Sequence, residues 1–176
     1  MNAVSKKVCL LGDFGVGKTS LVRRFVHGLF DDRYLSTVGV KVSRKMVMVP
    51  QLADLVEMTM MLWDLAGSEE FDHMRASYLR GAAGAILVCD VARPATVDNL
   101  GAYLRDLTSV SPRARAVVAA NKSDLLDQRQ LLTPRIEAFA TSHHLPLFFT
   151  SARQGTEVET LFRHLGRALL VEATPA

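Results

Sequence analysis

Apolar positions along the chain follow two periods that alternate from one end to the other. Short continuous apolar runs are typical of strands buried on both faces, and they occur in KKVCLLGD, AILVCDV, ARAVVAANK and LPLFFTS. Between these runs, helical spacing of apolar residues predicts helices near 18–28, 95–110, 134–143 and 157–171. The alternation predicts an α/β fold whose mostly parallel sheet carries helices on both faces.

Two further segments predict a β-hairpin at an edge of this sheet. VGVKVSRKMVMVP alternates with period two, and LVEMTMMLWD returns after the turn PQLAD. Local signals also predict two helix starts. Thr133 and Pro134 have the pattern of an N-cap followed by proline at the first helical position, and Thr156 and Glu159 have capping-box spacing.

Composition narrows the class of protein. The 176 residues are 49% hydrophobic and 22% charged, which predicts one ordered domain over residues 1–176. The net charge of +3 is spread along the chain without a basic run, so a nucleic-acid partner is not expected. Cys9 and Cys89 lie in apolar runs, which predicts reduced core thiols and a cytoplasmic location. No signal peptide or membrane span is expected, and EATPA lacks a prenylation cysteine, so no direct membrane anchor is predicted.

The stretch GDFGVGKTS, residues 12–20, follows the first strand and opens the first helix as a complete P-loop does. Backbone N–H groups of such a loop surround an anion, and the helix N-terminus adds partial positive charge. Lys18 is predicted to reach the terminal phosphates, and the Thr19 hydroxyl is predicted to bind Mg²⁺. The predicted phosphate-binding residues are Gly15, Val16, Gly17, Lys18, Thr19 and Ser20.

Asp64 ends an apolar strand in the pattern D-x-x-G, which suits a carboxylate that holds Mg²⁺ or its water. N-K-S-D, residues 121–124, predicts the base. Guanine presents N1–H and an amine side by side, and the Asp124 carboxylate can accept both, whereas adenine would leave it unpaired. The Lys122 stem can cover the base, and in TSAR, residues 150–153, which follows the last strand, the Ala152 N–H could meet guanine O6. The predicted base-site residues are Asn121, Lys122, Asp124, Ser151, Ala152 and Arg153.

The chain resembles the Ras superfamily of small GTPases, and the Rab branch most closely. The motifs GDFGVGKTSLVRRF, FDDRYLSTVGV, WDLAGSEEF, YLRGAAGAILVCDV, NKSD and TSAR stand in family order over nearly the whole chain. The resemblance implies a Ras-like G domain of the P-loop NTPase class, with a six-stranded sheet, five helices, and GTP or GDP bound with Mg²⁺.

The resemblance also implies two switches, switch I at 30–40 and switch II at 64–79. In switch I, Phe30 would pack against guanine, Tyr34 would close over the phosphates, and Thr37 would bind Mg²⁺ and the γ-phosphate. In switch II, the Gly67 N–H would sense the γ-phosphate. Effectors, exchange factors and GTPase-activating proteins would bind through both switches. For the apolar set Phe71, Met74 and Tyr78, partner contact and burial both stay open.

Three positions depart from the family pattern. Arg153 stands in place of lysine, with little expected effect. Phe14 stands in place of a small P-loop residue, and it either obstructs a partner's arginine or packs outward against a switch. Ser68 stands where the family has the glutamine that orients the attacking water. Glu69 and His73 are candidates to orient the attacking water in place of the glutamine. Solvent-exposed positions on the switch II helix are the favoured interpretation for both residues.

These features predict a GTP-binding switch that hydrolyses GTP slowly. The predicted catalytic residues are Lys18, Thr37, Gly67 and Ser68, and the predicted metal-binding residues are Thr19, Thr37 and Asp64. The alternative is a GTP-locked interaction module with vestigial hydrolysis, as in a Rho-related branch that also carries serine. A nucleotide kinase or ATPase is disfavoured by N-K-S-D.

Overall fold

The computed structural model describes residues 3–33, 36–51, 54–67 and 72–171, without the side chains of 72–73 and 126–132. The six-stranded sheet has the order β2-β3-β1-β4-β5-β6. Its strands are β1 Ala3–Leu11, β2 Val40–Gln51, β3 Asp54–Leu65, β4 Gly84–Asp90, β5 Arg115–Asn121 and β6 Leu147–Phe149. Only the β2–β3 pair of this sheet is antiparallel, so the predicted edge hairpin and parallel sheet are confirmed.

The helices of the described residues connect these strands. They are α1 Lys18–His27, α2 Asp72–Leu79, α3 Pro94–Asp98, α4 Leu100–Val110, α5 Leu126–Ser142 and α6 Val158–Leu170. The predicted helix over 95–110 is thus divided at Asn99. The interruption is slight, because the Asn99 N–H still donates to the Ala95 carbonyl at 3.1 Å.

Alternating strand residues divide the core into two layers. Leu10 and Ile86 point to the face covered by α1 and α6, while their neighbours Cys9 and Leu87 point to the face covered by α4 and α5. The period-two alternation of a strand produces this division, and the predicted helices on both faces are confirmed. Cys9 and Cys89 are free and fully buried in the second layer, as predicted.

The predicted start of the helix near 134–143 was wrong. α5 begins at Leu126, and Pro134 lies inside it instead of at its first turn. A proline removes one helical hydrogen bond and crowds the carbonyl four residues before it. Residues 126–132, LDQRQLL, are mostly good helix formers, so the helix extends N-terminally beyond Pro134 despite that loss.

The predicted capping box at the last helix was also wrong. The N-cap of α6 is Glu157, with φ of 56° and no capping hydrogen bond from its side chain. Thr156 instead lies in an antiparallel bridge with Ser151, in which the Thr156 carbonyl accepts the Ser151 N–H at 3.1 Å. That bridge closes the 150–153 loop at the sheet rim.

Among the described residues, no helix is both long enough and apolar enough to cross a membrane. Residues 52–53 of the predicted turn PQLAD lie outside the described residues.

Candidate functional site

The predicted motifs converge on one cleft of about 320 Å³ at the carboxyl ends of the parallel strands. It lies between the P-loop, the segment after α1, and the loops after β5 and β6. The lining residues predicted from sequence are Gly15, Gly17, Lys18, Thr19, Ser20, Phe30, Thr37, Gly67, Asn121, Lys122, Asp124, Ala152 and Arg153. Parallel strands bring motifs that are over a hundred residues apart in sequence to the same edge.

Lys18 lies at the floor of this cleft, at the first turn of α1. Its ammonium donates to the carbonyls of Gly12 at 2.7 Å and Asp13 at 2.9 Å. Burial lowers the pKa of Lys18 to about 8, although the charges of Asp64 and Asp13 act in the opposite direction. The side chain therefore remains mainly cationic at neutral pH, and the P-loop carbonyls hold its charge at the cleft.

Gly17 and Asn121 join the P-loop to the base motif. Gly17 has φ of 101°, and a Cβ at this position would lie 2.3 Å from the Asn121 side-chain nitrogen. Asn121 donates from that nitrogen to the Val16 carbonyl at 2.9 Å, and its oxygen accepts from Thr150 at 3.1 Å. Glycine is therefore required where the amide crosses the loop, and Asn121 acts as a brace between two motifs.

Three oxygen-bearing side chains meet beside Lys18. The hydroxyls of Thr19 and Thr37 are 2.6 Å apart, and Thr19 also donates to the Asp64 carboxylate. The other carboxylate oxygen of Asp64, Oδ1, is buried and has no hydrogen-bond partner among the described residues. Burial raises the pKa of Asp64, while the Thr19 hydrogen bond and the Lys18 charge act against it.

This donor set fits Mg²⁺. The ion prefers oxygen ligands, and an unpaired buried carboxylate oxygen is costly unless a cation or donor meets it. Thr37 comes from switch I and Asp64 from the start of switch II, so the two predicted switches contact the P-loop at the same place. The fit gives the predicted metal residues Thr19, Thr37 and Asp64 a common physical basis.

Gly67 approaches the P-loop more closely than any other residue type would permit. A Cβ at Gly67 would lie 2.5 Å from the Phe14 nitrogen and 2.7 Å from the Gly12 carbonyl oxygen. Both are backbone atoms and cannot move aside as a flexible side chain can. The start of switch II therefore packs directly on the P-loop backbone.

The base-motif side chains are held by other protein groups. Asp124 accepts a hydrogen bond from the Ser151 hydroxyl at 2.7 Å, and the Lys122 ammonium lies 2.7 Å from a carboxylate oxygen of buried Asp90. The Ala152 N–H, predicted to meet guanine O6, donates to the Asn121 side-chain oxygen at 3.3 Å. These contacts join the two predicted base-site segments, 121–124 and 150–153, at the cleft.

Not every predicted residue lines this cleft. Val16 is fully buried behind the P-loop, and Ser151 acts through Asp124 from a buried position. Tyr34, Ser68, Glu69 and Phe71 lie outside the described residues, as does the side chain of His73. Met74 is exposed, whereas partly buried Tyr78 packs against Trp63.

Sequence reasoning did not name several other lining residues individually. They are Arg23, Asp31, Asp32, Arg33, Leu65 and Leu125, of which the two aspartates, Arg33 and Leu65 lie within the predicted switch ranges. The polar cluster DDR after the first helix was the available signal for three of them, while the others required the fold. Phe14, noted for its bulk, lines the cleft and is 47% exposed.

Comparison with known proteins agrees with this geometry. The sequence model of the Ras family matches residues 7–171. The chain belongs to the Ras family. It is 36% identical over 172 residues to the Ras-related protein Rab-22A of Mus musculus, covering 97% of this chain and 87% of the relative. It is also 35% identical to the GTP-binding protein ypt4 and 33% to the GTP-binding protein ypt3 of Schizosaccharomyces pombe. Each match covers 89% of this chain, with 68% of ypt4 and 72% of ypt3.

The predicted fold class is therefore confirmed as the Ras-like α/β G domain, and the predicted Rab-like branch is confirmed by these relatives. This Ras-family protein is a small GTP-binding switch protein. Members of the family generally hydrolyse GTP, typically bind Mg²⁺ with the nucleotide, and work with effectors, exchange factors and GTPase-activating proteins.

Proposed function

We propose that this Ras-family protein binds GDP and GTP in the 320 Å³ cleft and hydrolyses GTP slowly. The observation that carries the proposal is the convergence of Thr19, Thr37 and the unpaired Asp64 oxygen beside Lys18. The P-loop would hold the phosphates, and Asn121, Lys122, Asp124 and the 150–153 loop would hold guanine. A cytoplasmic location belongs to the same proposal and is supported by the two free, buried cysteines.

The proposed chemistry relies on electrostatic stabilisation by groups already in position. Lys18 supplies a buried positive charge where negative charge develops on the transferred phosphoryl group. Thr19, Thr37 and Asp64 would hold Mg²⁺, which neutralises phosphate charge when bound. The Gly67 backbone N–H, beside the P-loop, would respond to a third phosphate and so distinguish GTP from GDP.

Ser68 is the proposed reason for slow turnover. A serine hydroxyl is too short to place a carboxamide on the attacking water, so the electrostatic groups remain while water orientation is weakened. Ras itself, which carries the glutamine, turns over at about 3–5 × 10⁻⁴ s⁻¹ without a partner. A loss of about 1.4 kcal/mol of transition-state stabilisation would lower the rate tenfold.

Nucleotide affinity tests the binding part of this proposal. Dissociation constants for GDP, GTP and ADP are measured with Mg²⁺ present and after its chelation. We expect guanine nucleotides to bind at least about a hundredfold more tightly than ADP, since adenine leaves the Asp124 carboxylate unpaired. Comparable affinity for ADP would overturn the base assignment.

Single-turnover hydrolysis tests the catalytic part. A Ser68→Gln variant is expected to hydrolyse bound GTP about tenfold faster than the natural chain, and Ser77→Gln is the matched control. Ser77 is exposed on α2 and its hydroxyl donates to the Met74 carbonyl, so this change should leave the rate unaltered. A natural chain as fast as its Ser68→Gln variant would contradict the assignment of Ser68.

A GTP-locked interaction module is the second candidate. Phe14 favours it, because its bulky, half-exposed side chain lines the cleft at the P-loop, where it would obstruct a partner's arginine. Nucleotide content after purification distinguishes the two, since mostly GTP supports the module and mostly GDP supports the enzyme. Cell extract is added in a control, because a partner can supply the missing catalytic group in trans.

A further inference from the structure

Arg24 connects α1 to the 150–153 loop of the proposed base site. Its Nε donates to the Ala152 carbonyl at 2.7 Å, and its Nη2 donates to the Arg153 carbonyl. Its Nη1 donates to the Gly28 carbonyl at 3.2 Å. One guanidinium therefore reaches three backbone carbonyls, two of them in the 150–153 loop.

The connection ends on residues that line the cleft and on the end of α1. Ala152 and Arg153 line the cleft, while Gly28 is the C-cap of α1, two residues before the lining residue Phe30. Arg24 itself is not among the lining residues. It therefore ties the 150–153 loop to α1 without entering the cleft.

Both backbone groups of Ala152 are held. Its N–H donates to the Asn121 side chain at 3.3 Å, and its carbonyl, which belongs to the next peptide unit, accepts from Arg24. Asn121 and Arg24 therefore hold two successive peptide units of the 150–153 loop. Loss of Arg24 would free the second unit, next to the one whose N–H is proposed to face guanine O6.

The guanidinium is suited to this task in a way that lysine is not. Arginine presents five N–H donors in a planar fork, whereas an ammonium is a compact point charge. Within the described part of the chain, Arg24 has no ion pair with a carboxylate, so its charge is met by the three carbonyls. Charge alone would therefore not reproduce the contacts.

We infer that Arg24 is a positioning residue for guanine recognition, which couples the 150–153 loop to α1 and so sets base selectivity and the rate of nucleotide release. This inference rests on the proposed base site. Because Arg24 touches neither the P-loop phosphate cradle nor the metal residues, its loss should spare the hydrolysis step.

The test compares Arg24→Ala, Arg24→Lys and Arg163→Ala with the natural chain. Arg163 is an exposed arginine of α6 paired with Glu159, and it is the matched surface control. Each protein is loaded with GDP or GTP, and GDP dissociation, affinity for GDP and ADP, and single-turnover hydrolysis are measured. We expect both Arg24 variants to release GDP about tenfold faster and to lose about tenfold in GDP-over-ADP preference, with hydrolysis changed less than about twofold.

The outcomes separate this inference from the proposed function. A natural chain without preference for GDP would overturn the proposed base site. A natural chain that prefers GDP, beside Arg24 variants with unchanged selectivity, would overturn the inference alone. An equal loss of GDP and ADP affinity would also overturn it, because that result indicates a general structural role. Arg24→Lys keeps the charge and the stem, so it serves as the test if the alanine variant does not fold.

Discussion

The phenol oxygen of Tyr103 lies 2.7 Å from a carboxylate oxygen of Asp13, so a side chain of α4 holds the P-loop directly. Asn99 donates to the other Asp13 oxygen at 2.8 Å. The Arg75 guanidinium of α2 lies 4.5 Å from the centre of the Tyr103 ring and forms an ion pair with Asp106 at 2.6 Å. The switch II helix, α4 and the P-loop therefore contact one another through Tyr103.

Replacement of Tyr103 by phenylalanine removes the hydroxyl and keeps the ring beneath Arg75. We expect the Tyr103→Phe variant to be less stable by about 1.5–3 kcal/mol, since the lost hydrogen bond has a charged acceptor. Denaturant unfolding of the GDP-bound protein measures this change. Ser109→Ala, which removes an exposed α4 hydroxyl, is the control, and equal stability of the two variants would contradict the prediction.

Alkaline pH should weaken the same contact. Burial, and then the hydrogen bond to Asp13 and its charge, raise the pKa of Tyr103 above its ordinary value near 10. The folded state then retains a proton that the unfolded chain releases, so this part of the stability is complete below about pH 10 and decreases as pH rises further. Unfolding curves of the natural chain and Tyr103→Phe should therefore converge above pH 10.

Replacement of Gly67 by alanine should displace the start of switch II. The added methyl would lie 2.5 Å from the Phe14 nitrogen, and neither backbone can yield without a shift of the loop. We expect GDP binding to change little and single-turnover GTP hydrolysis to decrease about tenfold or more, because Gly67 is proposed to meet only the third phosphate.

Gly101→Ala is the matched control for this change. At Gly101 in α4 the nearest atom to an added Cβ is 3.5 Å away, and alanine favours the helix. Hydrolysis by this variant should equal that of the natural chain. A Gly67→Ala protein with natural hydrolysis would show that the close approach has no part in catalysis.

Replacement of Asp64 by asparagine should remove most of the Mg²⁺ dependence of nucleotide retention. The natural chain is expected to release GDP faster when Mg²⁺ is chelated, whereas Asp64→Asn should release it rapidly under both conditions, because the unpaired carboxylate oxygen is lost. GDP dissociation with and without chelator measures the difference. Asp54→Asn, at the exposed start of the same strand, should behave like the natural chain.

Cys9 and Cys89 should resist alkylation in the folded protein. Burial raises the pKa of Cys9 to about 11 and that of Cys89 to about 12, so thiolate is scarce at neutral pH and reagent access is closed. Mass spectrometry after iodoacetamide treatment at pH 7.5 should find neither thiol modified, and both modified in denaturant. Rapid labelling of the folded protein would contradict the buried positions.

Much of the fold was predictable because strand periodicity is local. Continuous apolar runs marked β1, β4, β5 and β6, and period-two alternation marked the edge strand β2. Helix ends were less predictable, because competing contacts decided them. Thr156 forms a bridge with Ser151 and is therefore not the cap, and the residues before Pro134 continue the helix despite the proline.

The candidate phosphate, metal and base residues could be proposed from the sequence because their chemistry depends on short spacings within single motifs. The supporting contacts were not, since each joins distant parts of the chain. Arg24 and Ala152 are 128 positions apart, and Asp13 and Tyr103 are 90 apart. Neither pair carries a local signal.

The sequence by itself determined the proposed ligand chemistry: an anion loop that ends in Lys18 and Thr19, a candidate metal carboxylate at Asp64, and an N-K-S-D motif expected to select guanine. Only the tertiary structure decided how these parts are held, through Arg24 behind the base loop, Asn121 beside Gly17 and Tyr103 beneath the P-loop. The physical reason is that a motif's spacing specifies which groups can meet a ligand. Its rigidity comes from hydrogen bonds to residues that only the strand order β2-β3-β1-β4-β5-β6 brings together.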